Sequence, residues 1–147
     1  RTAGQVVEQW DELKREERSE AGSVLAGVPA TLPALARAQA LQRRAVRAGF
    51  AWESSDQAWQ KLEEELDELR QSETGEERLQ EAGDVLFALT EVLRQWDVDA
   101  EEALRLGCRR FSQAFERMEE RLASERRDFP DLSLNEKLSL WRESKGL

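Results

Sequence analysis

The sequence predicts an all-α fold, and three observations predict it. No segment alternates apolar and polar residues with a period of two over a useful length. The 147 residues include only 8 glycines and 3 prolines, so little of the chain is punctuated. Between the breaks, apolar residues recur at helical spacing behind Ser, Thr or Asp followed three residues later by Glu. Each helix can be justified in turn. Val6 to Glu20 places Val6, Val7, Trp10 and Leu13 on one side, with charge elsewhere. Ala21 to Pro33 holds two glycines and two prolines and reads as a linker. Thr31 is expected to cap a helix rich in Ala, Leu and Arg that runs to about Ala48 and stops at Gly49. A further helix covers about Ser55 to Gln71. Thr74 and Glu77 form a capping box for one that continues to about Trp96. Asp99 and Glu102 open a helix to about Arg127, and Ser133 and Glu136 open a short final one ending near Lys145. The expected architecture is a helical bundle.

Composition removes much chemistry. Histidine and tyrosine are absent, and Cys108 is the single cysteine. A histidine base, a Ser-His-Asp or Cys-His system, a disulfide and a zinc cluster are therefore excluded. What remains is carboxylates, Lys, Arg, Ser, Thr, backbone or a bound hard metal ion. With 31 acidic against 22 basic residues the formal charge is -9, which repels nucleic-acid backbones and anionic membranes. No apolar run reaches membrane-spanning length, and Arg1-Thr2-Ala3-Gly4 does not begin a signal peptide. The expectation is a soluble, cytoplasmic protein. A start without methionine further suggests a piece of a longer chain.

Two charged stretches attract attention. In Lys61-Leu62-Glu63-Glu64-Glu65-Leu66-Asp67-Glu68, the residues Lys61, Glu64, Glu65 and Glu68 fall within one arc about 100° wide. Trp59, Leu62, Leu66 and Leu69 form a separate apolar stripe. Taken alone, that pattern reads first as a solvated, salt-bridged face. The next helix weighs against so plain an explanation. Val85, Ala88, Val92 and Trp96 mark its inward stripe, and Glu81 falls in line with Ala88 and Val92, with Asp84 one turn on. A carboxylate aimed at a core is costly unless it is paired or coordinates a cation. Two acidic pairs at i, i+3 spacing on antiparallel helices offer the all-oxygen, open coordination that Mg²⁺ or Mn²⁺ takes.

Glu64-Glu65-x-x-Glu68 followed after twelve residues by Glu81-x-x-Asp84 resembles the signature of the MazG family of all-α nucleoside triphosphate pyrophosphohydrolases. Leu41 to Trp52, Gly83 to Leu89, Asp99 to Leu104, Phe111 to Glu119 and Trp141-x-x-x-Lys145 fit the same resemblance, which covers about residues 24–147. It implies a MazG-like catalytic domain over 24–147, preceded by a leading helix and linker over 1–23. Trp10 and Lys14 there echo Trp141 and Lys145, as at the end of a preceding domain in tandem relatives. The resemblance further implies Glu65, Glu68, Glu81 and Asp84 as metal ligands for Mg²⁺, with Mn²⁺ as a substitute. Glu64 would polarise water or hold a second ion, and Lys61 would reach a phosphate. Arg110 stands where the family usually has a lysine, and Trp141 and Lys145 complete the nucleotide pocket. Cys108 and Ala114 depart from the usual asparagine and arginine.

The activity so implied is Mg²⁺-dependent hydrolysis of a nucleoside triphosphate to the monophosphate and pyrophosphate. The alternative is a catalytically weak or inactive oligomerisation or regulatory module on the same fold. Trp52, Trp59 and Trp96 are expected in the core, and Cys108 as a small packing residue. The broad apolar surface of the Thr74–Trp96 helix predicts a homodimer able to pair again into a tetramer, with neither nucleic acid nor membrane as partner.

Overall fold

The computed structural model describes residues 2–10, 22–51 and 54–146. The expectations for Lys14 and Trp52 lie outside those residues. All described regular structure is helical: residues 3–10, then α1 (Ala34–Arg47), α2 (Ser55–Gln71), α3 (Gly75–Gln95), α4 (Ala100–Ser124), a 3₁₀ turn (Phe129–Asp131) and α5 (Leu134–Lys145). The all-α expectation holds. No helix among the described residues is long and apolar enough to cross a membrane. The chain divides into two compact units, residues 1–100 and 101–147.

Local chemistry sets the helix ends. Ser54 and Thr74 accept hydrogen bonds from the amides of Gln57 and Glu77, satisfying donors that a first turn leaves free. The Thr74–Glu77 box is only half formed, because the Glu77 carboxylate accepts from the Glu73 amide. The Ser133–Glu136 box forms in both directions. Thr31 caps nothing: Pro33 occupies the N-cap position of α1 without a side-chain cap. A residue before proline is pushed out of the α region, so Leu32 cannot lie in the helix and α1 starts later than expected.

Three helices stop in the same way. Gly49, Asp97 and Arg126 each take positive φ (101°, 56° and 54°). The following amides of Phe50, Val98 and Arg127 then return to the carbonyls of Ala45, Leu93 and Leu122. This left-handed stop satisfies terminal carbonyls; at Asp97 and Arg126 it places a non-glycine residue in a region that costs free energy. It also ends α4 at Ser124, short of the expected Arg127.

In the first unit, α2 and α3 form an αα-hairpin and α1 packs on α3. Its apolar centre is small: Ala58, Leu62, Ala88 and Val92, with Val85 against them. Polar residues complete it. Gln39 donates through Nε2 to the carbonyls of Thr90 (3.2 Å) and Val98 (3.0 Å), and its Oε1 accepts from the Ala100 amide (3.0 Å). One buried amide thus ties α1 to the end of α3 and the start of α4. Expected core tryptophans are not there: Trp59 and Trp96 are 42% and 55% exposed and stack on each other with centroids 5.7 Å apart. A ring of that size outgrows the space between α2 and α3, whose meeting residues are as small as Ala58 and Ala88.

The second unit is built on Met118, Leu122, Leu132 and Leu140, with Phe129 and Trp141 against them. Phe111, Phe115, Phe129 and Trp141 form a run of ring contacts with centroids 5.0–5.8 Å apart. Arg127 binds Glu136 at 2.8 Å, and Arg121 binds Glu143. Cys108 is exposed, contrary to the packing role expected of it, since among the described residues nothing buries it. Ala114 is buried.

Candidate metal centre and adjoining cavity

The α2–α3 hairpin brings acids together. One carboxylate oxygen from each of Glu65, Glu68 and Glu81 lies within 4.8 Å of the others. The Ser54 and Thr74 caps fix where α2 and α3 begin, so residues on their facing sides meet in register. Glu65 does not stay on a solvated arc. It is buried beside Ala58 and Leu62 on the inward side of α2, whereas Leu66, assigned to the apolar stripe, is 43% exposed. Helix α2 is rotated so that the border between its leucine stripe and its acidic arc, at Ala58, Leu62 and Glu65, faces inward.

Lys61 offsets part of this charge. Its Nζ lies 2.7 Å from Glu65 Oε1 and 3.9 Å from Glu64 Oε2. The hydrogen bond to Glu65 raises the Lys61 pKa above its ordinary value, with burial opposing it. The Glu68 carboxyl is pushed above its ordinary value by the charge of Glu65 and then that of Glu81. Crowded like charges each resist ionisation. Two oxygens, Glu65 Oε2 and Glu81 Oε2, are buried without a hydrogen-bond partner among the described residues. Buried orphan acceptors are costly, and these belong to an all-oxygen, anionic donor set. A hard divalent cation fits that set; softer metals that want sulfur or imidazole do not.

A cavity of about 520 Å³ adjoins the cluster. Lys61, Glu65, Asp84, Gln42 and Glu91 line it, with an apolar wall of Leu25, Leu41, Ala45, Phe50, Ala51, Phe87 and Ala88. Asp84, the fourth expected ligand, is exposed and lines this cavity, but it is not among the three acids whose oxygens meet. Glu64 is exposed on α2 and reaches the same lysine. Arg110, Trp141 and Lys145 belong to the second unit. There Arg110 and Lys145 are exposed and Trp141 is half-buried against Phe111.

Sequence reading missed the buried amides and Glu91. Gln42 Nε2 donates to the Phe87 carbonyl (2.9 Å) and Thr90 Oγ1 (3.0 Å). Glu91 is held by Arg94 at 2.6 Å. A signal was available: Leu35, Gln39, Gln42 and Val46 fall on one helical stripe, so two glutamines occupy positions where α1 faces inward.

Fold and site together define an all-α protein with a carboxylate cluster suited to a hard divalent cation, beside a largely apolar cavity. No protein-family model matches the chain. Individual proteins do. The chain is 32% identical over 144 residues to the nucleoside triphosphate pyrophosphohydrolase/pyrophosphatase MazG of Thermotoga maritima, covering 97% of this chain and 56% of that protein. It is 31% identical over 150 residues to the nucleoside triphosphate pyrophosphohydrolase of Escherichia coli K12, covering 97% and 57%. A third relative, the uncharacterized protein YabN of Bacillus subtilis, is 37% identical over 145 residues, 95% of this chain and 30% of that protein. Over nearly its whole length the chain is similar to MazG-type pyrophosphohydrolases, and it spans little more than half the length of the two.

Proposed function

We propose that this chain hydrolyses a nucleoside triphosphate to the nucleoside monophosphate and pyrophosphate, using Mg²⁺, or Mn²⁺ in its place. The observation that carries the reading is the meeting of Glu65, Glu68 and Glu81 with two buried oxygens unpartnered. The names of two relatives that match nearly the whole chain support it. Glu65, Glu68, Glu81 and Asp84 would hold the cation. When bound, it neutralises phosphate charge and lowers the pKa of a water for attack at the α-phosphorus.

The chain's own residues have separate tasks. Glu64, exposed on the same helix, would polarise the attacking water or hold a second ion. Lys61 lines the cavity and can exchange its contact with Glu65 for one with a phosphate, where it stabilises charge on the leaving pyrophosphate. Arg110 and Lys145 would add phosphate contacts and Trp141 a nucleotide contact, as the family resemblance implies. The apolar wall excludes water and strengthens these interactions. A non-catalytic module has no use for two buried, unpartnered carboxylate oxygens.

We also propose a homodimer, which can pair again into a tetramer. On α3, Leu86, Phe87 and Leu89 are 53%, 47% and 36% exposed, an apolar surface that a second copy can cover. The deciding experiment for function is pyrophosphate release over a panel of nucleoside triphosphates with and without Mg²⁺. Metal-dependent release is expected; no release from any nucleotide overturns the reading.

A further inference from the structure

We propose that a cleft beside α1 binds a small phosphate anion, with inorganic pyrophosphate the form that fits it best. The inference is independent of the pyrophosphohydrolase reading, because the cleft shares no lining residue with the cavity beside the acids. Its volume is about 230 Å³, and it lies between the Gly27–Pro29 turn and Ala40, Arg43, Arg44 and Arg47 of α1. No carboxylate among the described residues lines it. The formal charge of the chain is -9, yet the 14 residues of α1 hold four arginines and no acid. Other helices pair arginines one turn away: Arg94 with Glu91, Arg105 with Glu102 and Arg121 with Glu125. Helix α1 offers no such partner, and among the described residues Arg43, Arg44 and Arg47 form no ion pair. Residues three and four apart share a helix face, so all three arginines gather beside Ala40.

Arg44 is fixed in place. Its Nη1 donates to the Ala26 carbonyl at 3.3 Å, and a Cβ added at Gly27 would lie 3.5 Å from its Nη2. Gly27 takes a φ of 91°, which glycine adopts at little steric cost, so the turn closes directly on the guanidinium. A guanidinium carries several N–H donors, and the Ala26 carbonyl takes one of them. Arg43 and Arg47 are exposed and can close over a ligand. The helix dipole favours basic residues in a last turn, but that end carries only about half a negative charge. The three guanidiniums of the lining outweigh it, which leaves the cleft positive. The planar fork of arginine matches phosphate oxygens two at a time. The volume falls below the roughly 300 Å³ at which pockets for drug-sized ligands begin, which selects a small anion over a whole nucleotide. Several cations within one cleft favour the more highly charged diphosphate over a single phosphate.

Titration calorimetry with inorganic pyrophosphate tests the site. The protein is kept metal-free with EDTA, in about 0.15 M salt so that long-range attraction is screened. Saturable binding at one site per chain is expected, with sulfate on the order of tenfold weaker because it lacks the second anionic group. The double variant Arg43→Gln, Arg47→Gln loses charge-assisted contacts and should bind pyrophosphate on the order of tenfold or more weakly than wild type. Both side chains are exposed, so this variant should melt as the wild type does. Lys61→Met changes only the other cavity and should bind pyrophosphate like the wild type. Absence of saturable binding, equal binding by the double variant, or equal binding of sulfate overturns the proposal. Loss of binding in Lys61→Met with retention in the double variant also overturns it, because the anion then sits beside the acids. Hydrolysis of nucleoside triphosphates is not needed for any of these outcomes, so the pyrophosphohydrolase reading stands or fails separately.

Discussion

Lys61 Nζ sits 2.7 Å from Glu65 Oε1, one helical turn away, while Glu65 Oε2 is buried without a hydrogen-bond partner among the described residues. One half of a buried carboxylate is neutralised by its own helix and the other half is left open. In the apo protein this arrangement is held against repulsion from Glu68 and Glu81. The same open oxygen is what a cation would take.

Single neutralisations of the cluster should separate activity from stability. Glu65→Gln, Glu68→Gln, Glu81→Gln and Asp84→Asn each remove a hard-metal ligand, and several kcal/mol of transition-state stabilisation depend on the ion. Losses in kcat/KM on the order of 100-fold or more are expected, with apo melting temperatures unchanged or higher because repulsion is relieved. Glu63→Gln and Asp67→Asn, both exposed, should change activity less than about twofold, the scale of ordinary surface substitutions. Equal losses at Glu63 and Glu65 would refute the face assignment.

Metal binding should appear in stability. A cation at 100 times its dissociation constant adds about 2.7 kcal/mol to a folded state that alone binds it, or roughly 5–10 °C in melting temperature at this chain length. Lys61→Met should lower the metal-free melting temperature, by about 1–2 kcal/mol in stability for a half-exposed charged partner. It should also enlarge the shift caused by Mg²⁺. Scanning calorimetry with and without Mg²⁺ checks both; no shift in either protein counts against a metal centre.

Gln39→Leu should destabilise the first unit by about 2–4 kcal/mol, since it strands the Val98 carbonyl and the Ala100 amide together. Urea unfolding with an unchanged m-value is the check. A loss below about 0.5 kcal/mol, the surface-substitution range, would mean that the amide ties nothing together.

Stability should carry an acid-range signature from Glu136. The Arg127 guanidinium, aided by the Ser133 amide and hydroxyl, lowers its carboxyl from 4.5 to about 2. A lowered carboxyl contributes stability that is complete above its unfolded pKa and lost as pH falls through the folded one. The gap in melting temperature between wild type and Glu136→Gln should be constant above about pH 5 and close as the pH approaches about 2. Glutamine keeps the capping role, so a pH-independent gap would exclude the ion pair as its source.

Assembly is decided by light scattering at micromolar concentration. A dimer or tetramer is expected, and Leu86→Glu or Leu89→Glu should shift it toward single chains by burying an unpaired charge at the interface. A fully active single chain would overturn the proposal.

Helix identity was legible in the sequence because it depends on neighbours: α2 begins at Ser55 and ends at Gln71 as the spacing of its residues predicts, and Ser133 with Glu136 fixes α5. Glu65, Glu68 and Glu81 were legible for a related reason. Their spacing on two consecutive helices fixes a shared edge before any packing is known. Other features depend on how far a helix rotates about its axis, which only its neighbours set. Pattern alone put Trp59 and Trp96 in the core and left the depth of Glu65 open. The hairpin instead turned α2 until Glu65 was buried, and small residues at the α2–α3 contact left both rings outside, stacked on each other. Gln42 shows the same limit: sequence places an amide on an inward stripe, but only the Phe87 carbonyl and the Thr90 hydroxyl decide which way that amide is turned.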